Sequence, residues 1–212
     1  LAFGVQKPEA HAAGKPRPAM GWAALKRLPA TYWAVVAIGA VFTLARFSEA
    51  FLVLRAQQAG VAMALVPLVM VAMNLIYAVS AYPFGRLSDR MRHHTLLMLG
   101  LLVLLAADLV LAAASSTAGV LLGVALWGIH MGLTQGLLAT MVADTAPQDL
   151  RGTAYGFFNL LSGLSMLLAS VLAGLLWDAL GASATFYAGA AFCTLALAGL
   201  GWRVRSVGIR AG

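Results

Sequence analysis

YPFGRLSDRMRHH, residues 82–94, is a short charged stretch that joins two long apolar runs, 62–84 and 95–114. The stretch holds three arginines and an aspartate, whereas the two runs contain a single charged residue, Asp108. A helix of about 20 apolar residues crosses the hydrocarbon core of a bilayer at 1.5 Å per residue. Both runs reach that length, so the stretch predicts a tight polar joint between two antiparallel membrane helices.

The composition of the whole chain also requires a lipid environment. Of its 212 residues, 62% are hydrophobic and only 10% are charged, against about 25% charged in a soluble domain. In lipid, backbone polar groups must be satisfied within the segment, which favours helices. The single cysteine, Cys193, allows no internal disulfide. The predicted fold class is therefore an all-α membrane protein.

Six apolar runs emerge when the same test is applied outward from the charged joint. Short joints separate them, so neighbouring helices should be antiparallel. Residues 31–203 are then the membrane bundle and 204–212 a tail. Residues 1–30 form a linker, in which 21–28 is either an interfacial helix or part of a plain tether. The predicted spans are 32–54, 62–84, 95–114, 119–142, 153–176 and 184–202.

The basic residues predict the orientation of these helices. Twelve of the fourteen lysines and arginines fall before the first span, in the second and fourth joints or in the tail. By the positive-inside rule, both termini are expected in the cytoplasm. The net charge of +7 is explained by these short clusters, so the lipid bilayer is an expected partner and nucleic acid is not. The opposite side has Arg55 alone, and Arg46 lies inside a span.

The charged joint resembles the cytoplasmic loop signature of the major facilitator superfamily, roughly G-x-L-S-D-R-x-G-R-R. Arg92 stands where the family has glycine, and two histidines replace its last basic residues. A second stretch, 146–181, resembles the family from its tenth helix through its eleventh, with R-G-T-A-x-G and a later W-D. The matching residues of the joint are Gly85, Leu87, Ser88, Asp89 and Arg90.

The resemblance covers about residues 30–203 and implies helices seven to twelve of a 12-helix transporter. The chain begins at Leu1 rather than Met, and we expect it to be the C-terminal half of a longer protein. The family implies secondary active, proton-coupled transport of a small solute by alternating access in the bacterial inner membrane, together with an N-terminal half. It implies no cofactor and no enzymatic activity.

The resemblance also assigns a cytoplasmic gating motif to Gly85, Asp89 and Arg90. Gly85 would permit a tight turn at the helix exit. Asp89 would accept hydrogen bonds from Arg90 or from a helix end, in a latch that opens and closes between two conformations. The alternative is that the arginines of this joint only fix the topology.

Arg46 and Glu49 are unusual because they lie within the first apolar run. A charge at the centre of a bilayer costs about 2.5–3.5 kcal/mol on insertion scales. In a continuous helix, residues at i and i+3 can pair and share that cost. Arg46 would attract an anionic group and Glu49 would exchange a proton. Alternatively, Arg46 extends outward to the headgroups and has no role in transport.

Polar residues on the other spans complete the predicted transport pathway. The resemblance places the first and fourth spans around a central cavity, where Arg46, Glu49, His130 and Gln135 are expected to converge. Asn74 and Asn159 are secondary candidates. Alternatively, His130 is a neutral residue with a local hydrogen bond. A stripe of small or polar residues on the fifth span either lines this cavity or only packs against other helices: Gly156, Asn159, Ser162, Gly163, Met166 and Ser170.

The fourth span also carries Gly128, Gly132 and Gly136, a doubled G-x-x-x-G that predicts close packing against another helix. Two other functional classes stay open on the sequence. GLSM, 163–166, is similar to an intramembrane serine protease motif, although no histidine follows Ser165. A receptor or assembly protein with the same fold is the other alternative. A phosphate-binding G-x-x-x-x-G-K-[ST] motif is absent from the sequence, so ATP is not an expected partner.

Overall fold

The computed structural model describes residues 22–88 and 90–209, with side chains described for 24–88 and 90–201. All regular structure in these ranges is helical, which confirms the predicted fold class. Short 3₁₀ turns precede α4 and α8. The α-helices are α1 (Trp22–Leu25), α2 (Ala30–Leu44), α3 (Ala50–Gln58), α4 (Val66–Ser88), α5 (His93–Ala113), α6 (Thr117–Thr134), α7 (Leu137–Thr145), α8 (Arg151–Leu180) and α9 (Ala182–Ile209).

Five helical stretches in the described residues are long and apolar enough to cross a membrane. They correspond to the second to sixth predicted spans, and the first span begins with the shorter apolar helix α2. The last helix continues to Ile209, beyond the predicted end of that span at residue 202. The long stretches are Met63–Ser88, His93–Ala113, Thr117–Thr145, Gln148–Leu180 and Ala182–Gly201.

The first span is not the continuous helix that was predicted over 32–54. It ends at Leu44, and α3 begins at Ala50 after an irregular segment. Ser48 explains the break, because its backbone N–H donates to the hydroxyl of Ser170 on α8 (3.2 Å) rather than to a carbonyl of its own helix. Its own hydroxyl accepts a hydrogen bond from the N–H of Ala50 (3.3 Å). Such side-chain bonds compete with the helical ladder.

The fourth span is also broken, at Gln135 and Gly136 between α6 and α7. Gly136 has φ 81°, in the left-handed region that a residue without a side chain adopts at little cost. It therefore ends α6 rather than packing within it. The prediction that Gly136 extends a doubled packing motif is wrong. This glycine provides a left-handed backbone conformation, and nothing lies within 4 Å of the position that its Cβ atom would take.

The other two glycines of that motif do bring α6 close to α4. A Cβ atom at Gly128 would lie 2.7 Å from the carbonyl oxygen of Met73, and one at Gly132 would collide with Ser80. The neighbouring large residue, Trp127, is fully buried. The predicted close approach is thus confirmed for Gly128 and Gly132.

Hydrogen bonds at each end of the bundle fix the antiparallel order of the helices. We call the end that carries residues 90–92 and 146–150 the basic end, and the other the opposite end. At the opposite end, Arg55 of α3 donates to the carbonyls of Leu111 (3.0 Å) and Ala114 (2.7 Å), where α5 ends. Ser183 of α9 donates to Ala112 (2.7 Å). The unpaired carbonyls at the C-terminus of α5 are thereby satisfied.

The segment around α1 packs onto the bundle at the basic end. Ala24 and Leu28 are buried in a cluster with Tyr32, at the start of α2, and with residues of α7 and α8. The hydroxyl of Tyr32 donates to the carbonyl of Ala154 (2.9 Å). The sequence offered an interfacial helix or a tether over 21–28, and the described part of it is a short helix and turn docked on protein. Residues 1–21 lie outside the described residues.

Candidate transport cavity

The break between α2 and α3 forms one wall of a cavity of about 530 Å³. The other wall is the middle third of α8. The cavity volume lies within the range of about 300–1,000 Å³ that small-molecule sites occupy. Both charged residues of the break contribute to its lining, which consists of Arg46, Phe47, Ser48, Glu49, Gly163, Met166, Leu167 and Ser170.

Sequence reasoning predicted some of these lining residues and missed others. Arg46 and Glu49 were predicted, and the small and polar stripe on the fifth span does line the cavity through Gly163, Met166 and Ser170. Phe47, Ser48 and Leu167 were missed. A polar residue next to a charged pair is a weak signal, and Ser48 faces the cavity because the chain leaves the helix at this point.

Arg46 and Glu49 do not pair as expected. Among the residues whose side chains are described, no carboxylate oxygen lies within 4.0 Å of the Arg46 guanidinium, and no basic nitrogen lies that close to Glu49. The expected pair assumed a continuous helix, in which i and i+3 lie on one face. The irregular backbone between α2 and α3 removes that geometry. Two opposite charges therefore line the same cavity separately.

His130 lies inside the bundle and not on this cavity. Its side chain is fully buried and stacks on Phe42, with ring centroids 5.5 Å apart. Its Nδ1 is 2.8 Å from the carbonyl oxygen of Gly100 on α5, so this nitrogen carries the proton and donates. Nε2 has no hydrogen-bond partner among the described residues. This geometry matches the local hydrogen bond that the sequence left open.

Gln135 lines a separate cavity of about 240 Å³ between α4 and the α6–α7 break. The expected convergence of Arg46, Glu49, His130 and Gln135 on a single cavity is therefore not found. The smaller cavity also contains Gly85 of the charged joint and lies towards the basic end. The helix break at Gly136 determines this separation, because it turns Gln135 towards α4.

The gating motif is only partly described. Helix α4 continues through Gly85 to Ser88, so the prediction that Gly85 makes the exit turn is wrong. The turn follows Ser88, and the backbone N–H of Arg90 donates to Leu87 (3.0 Å). Asp89 lies outside the described residues. The latch between Asp89 and Arg90 stays a prediction.

Asn74 and Asn159 are both exposed on the surface of this bundle. Asn74 donates to the carbonyl of Met70 within α4 (2.8 Å). Neither lines the cavities described above. Asn74 on α4 and Asn159 on α8 therefore lie on parts of these helices that this chain does not cover.

Asp108 is a buried polar residue whose surroundings were not predicted. It is fully buried between α5 and α9. Its Oδ2 atom lies 3.9 Å from Sγ of Cys193. Gly189 leaves room for the carboxyl, since a Cβ atom there would lie 2.6 Å from Oδ2. The sequence carries no signal that pairs Asp108 with Cys193, 85 residues away.

Comparison with curated proteins identifies related transporters. The chain is 36% identical over 159 residues to the uncharacterised transporter MJ1317 of Methanocaldococcus jannaschii, covering 72% of this chain and 40% of that protein. It is 30% identical over 185 residues to the inner membrane transport protein YajR of Escherichia coli, covering 84% of this chain and 40% of that one. The chain thus spans about two fifths of the length of these relatives.

Solved structures and family comparison agree with this result. The transporter PepTSo of the POT family superposes with a TM-score of 0.66 and 17% identity, over 84% of this chain and 38% of that chain. An auto-inhibited peptide transporter of the same family gives 0.65 and 21%, over 84% and 37%. These likenesses show the fold. The family model of the Major Facilitator Superfamily matches residues 35–208, and the chain therefore belongs to that superfamily of membrane transporters.

Proposed function

We propose that this chain forms the C-terminal half of a secondary transporter that moves a small solute by alternating access, coupled to protons. The observation that carries the proposal is the cavity at the α2–α3 break, where two opposite charges without partners among the described residues face α8. A charged group within a membrane span is costly, and it is typically retained on a substrate or ion pathway. The family of the chain supports transport rather than catalysis.

Two features of the cavity suit a substrate site. It is formed at an interrupted helix, and transporter sites often use such helices because their free backbone groups and irregular turns bind solutes. It is also open on a face of the bundle that this chain leaves uncovered, as the exposed residues of α8 show. An N-terminal half would close that face. The name of YajR supports the inner membrane as the location, and the basic clusters support cytoplasmic termini.

In this mechanism, Glu49 takes up and releases the coupled proton, and Arg46 provides a fixed positive charge. The two side chains line the same cavity, so a change in the charge of Glu49 alters the field at the site. Glu49→Gln in the complete transporter should insert and fold normally, since Glu49 has no ion pair to lose among the described residues. It should weaken the dependence of transport on the proton gradient.

Cysteine labelling tests alternating access without knowledge of the substrate. Cys193 is buried and gives little background, so Ser170→Cys can be introduced into the complete transporter after any cysteines outside this chain have been replaced. A membrane-impermeant thiol reagent should label Ser170→Cys in right-side-out and in inside-out vesicles. The control is Leu102→Cys, which is exposed on α5 and should resist labelling if it faces lipid.

Two outcomes would contradict the proposal. If Ser170→Cys is labelled from one side of the membrane only, the cavity does not alternate. If the labelling of Ser170→Cys has the same pH dependence whether position 49 is Glu or Gln, Glu49 has no part in proton coupling. In the second case, alternating access itself would stand and another acidic group would have to carry the proton.

A further inference from the structure

The charges of the cavity also indicate the chemical class of its substrate, an inference that rests on the proposed function of the same site. The Arg46 guanidinium and the Glu49 carboxylate are both partly buried, and both line the cavity of about 530 Å³. Neither side chain forms a hydrogen bond or ion pair with the other or with any residue of 24–88 and 90–201. Each therefore has its full bonding capacity available to a ligand.

The helix break explains how two opposite charges so near in sequence stay separate. Ser48 is held between them by the bond from its N–H to Ser170 on α8. Glu49 precedes the first residue of α3, and its backbone carbonyl accepts from Leu52 (3.0 Å). The backbone on both sides of Ser48 is thus held by hydrogen bonds, and both charged side chains line the cavity next to it.

A ligand with one kind of charge would satisfy only half of this site. A monoanion would pair with Arg46 but would be repelled by ionised Glu49, and a monocation would meet the reverse problem. Charge discrimination of this type comes from the repulsive partner as much as from the attractive one. A solute that carries both a carboxylate and an ammonium group compensates both residues.

The remaining walls of the cavity are mainly apolar. Phe47, Met166 and Leu167 contribute hydrocarbon and sulfur surface, and Gly163 leaves open space with nothing within 4 Å of a Cβ position. The Ser170 hydroxyl accepts from Ser48, so its proton is free to donate to a ligand near Arg46. The site therefore combines two charges with an apolar compartment.

We propose that this cavity binds a small zwitterion with an apolar body, with its carboxylate on Arg46, its ammonium on Glu49 and its side chain against Phe47, Met166 and Leu167. A free apolar amino acid has this chemistry. Leucine is a suitable probe, because each of its charges can be blocked without changing the body of the molecule.

The test measures binding of four leucine compounds to the complete transporter in lipid nanodiscs by calorimetry. The compounds are leucine with both charges, N-acetyl-leucine with the negative charge only, leucine amide with the positive charge only, and N-acetyl-leucine amide with neither. Leucine should bind at least about tenfold more tightly than each blocked compound, the effect of one lost hydrogen bond to a charged group. Equal or tighter binding of a blocked compound, or no binding of leucine, would overturn the proposal.

Variants of the two charged residues provide a second test. A residue with only a structural role would not change the relative affinities of the four compounds. Arg46→Gln should weaken leucine binding. In this variant, leucine amide should have the affinity closest to that of leucine, because the carboxylate of leucine has lost its partner. In Glu49→Gln, N-acetyl-leucine should have the affinity closest to that of leucine, because the ammonium group of leucine has lost its partner. Arg151→Gln is the matched control, since Arg151 is exposed at the start of α8 and should leave the order unchanged. A uniform loss of affinity for all four compounds in both variants would also overturn the proposal.

This experiment fails separately from the test of transport. If Ser170→Cys is labelled from both sides of the membrane while leucine does not bind, the cavity alternates and the proposed substrate class is wrong. If labelling occurs from one side only, the transport mechanism itself is wrong, whatever binds.

Discussion

Replacement of Gly128 by alanine tests the packing of α6 on α4, on which the position of both helices depends. The Cβ atom of Gly128→Ala would lie 2.7 Å from the carbonyl oxygen of Met73 and 3.2 Å from Cβ of Ile76. The first of these is a backbone atom inside α4 and cannot rotate away. The added methyl group must therefore move one helix away from the other.

The magnitude follows from two opposing terms. Overpacking of a well-packed contact costs typically about 1–3 kcal/mol, while replacement of glycine by alanine in a helix gains up to about 1 kcal/mol. The net expectation for Gly128→Ala is a loss of about 0–3 kcal/mol in the free energy of unfolding. Gly199→Ala on α9 has nothing within 4 Å of its Cβ position, so it should show the gain alone. The difference between the two variants should therefore be about 1–3 kcal/mol.

The assay is reversible unfolding of the complete transporter in mixed micelles, with tryptophan fluorescence as the signal. Trp127 is buried next to Gly128 and should report the opening of this contact. Gly132→Ala should fall between the two other variants, because the nearest atom it meets is the end of the Ser80 side chain, which can rotate. If Gly128→Ala is as stable as Gly199→Ala, the helices are not in the close contact that the argument requires.

Three smaller predictions concern polar contacts, each measured by the same unfolding assay. Arg55→Gln should lower the free energy of unfolding by about 1.5–3 kcal/mol, because a charged donor to the C-terminal carbonyls of α5 is lost; no loss would show that water replaces it. Tyr32→Phe should cost about 0.5–1.5 kcal/mol through its hydroxyl bond to Ala154, and an unchanged value would refute this. Arg27→Ala should cost no more than about 1 kcal/mol, since its pair with Asp149 is exposed (2.8 Å); a larger loss would indicate a structural role for this pair.

The sequence predicted the all-α membrane fold and the family, because both depend on signals that persist over many residues. Twenty apolar residues in a row can cross a bilayer whatever their tertiary contacts. The glycine spacing at Gly128 and Gly132 was also sufficient to predict a close helix contact, since residues without side chains let two helix backbones approach each other closely.

The interruptions of the first and fourth spans were not predictable in this way. The hydrophobicity of a whole span does not reveal an irregular segment of five residues within it, residues 45–49. The break at Ser48 also depends on a hydrogen bond to Ser170, 122 residues later. The pairing of Arg46 with Glu49 failed for the same reason, because it assumed helical geometry across that break. His130 was expected to line the same cavity as these charges. It is buried instead, and its Nδ1 bonds to the carbonyl of Gly100 on another helix.

The capping of α5 by Arg55 has a consequence for the biogenesis of the protein. Arg55 precedes Leu111 by 56 residues, so the ribosome delivers the guanidinium before the carbonyls that it will bind. If α3 is already in place when α5 inserts, Arg55 can bind the C-terminal carbonyls of α5 at once, and these carbonyls do not stay without a hydrogen-bond partner. In residues 24–88 and 90–201, Arg55 is the only lysine or arginine at the opposite end, and it binds a segment that follows it in the chain.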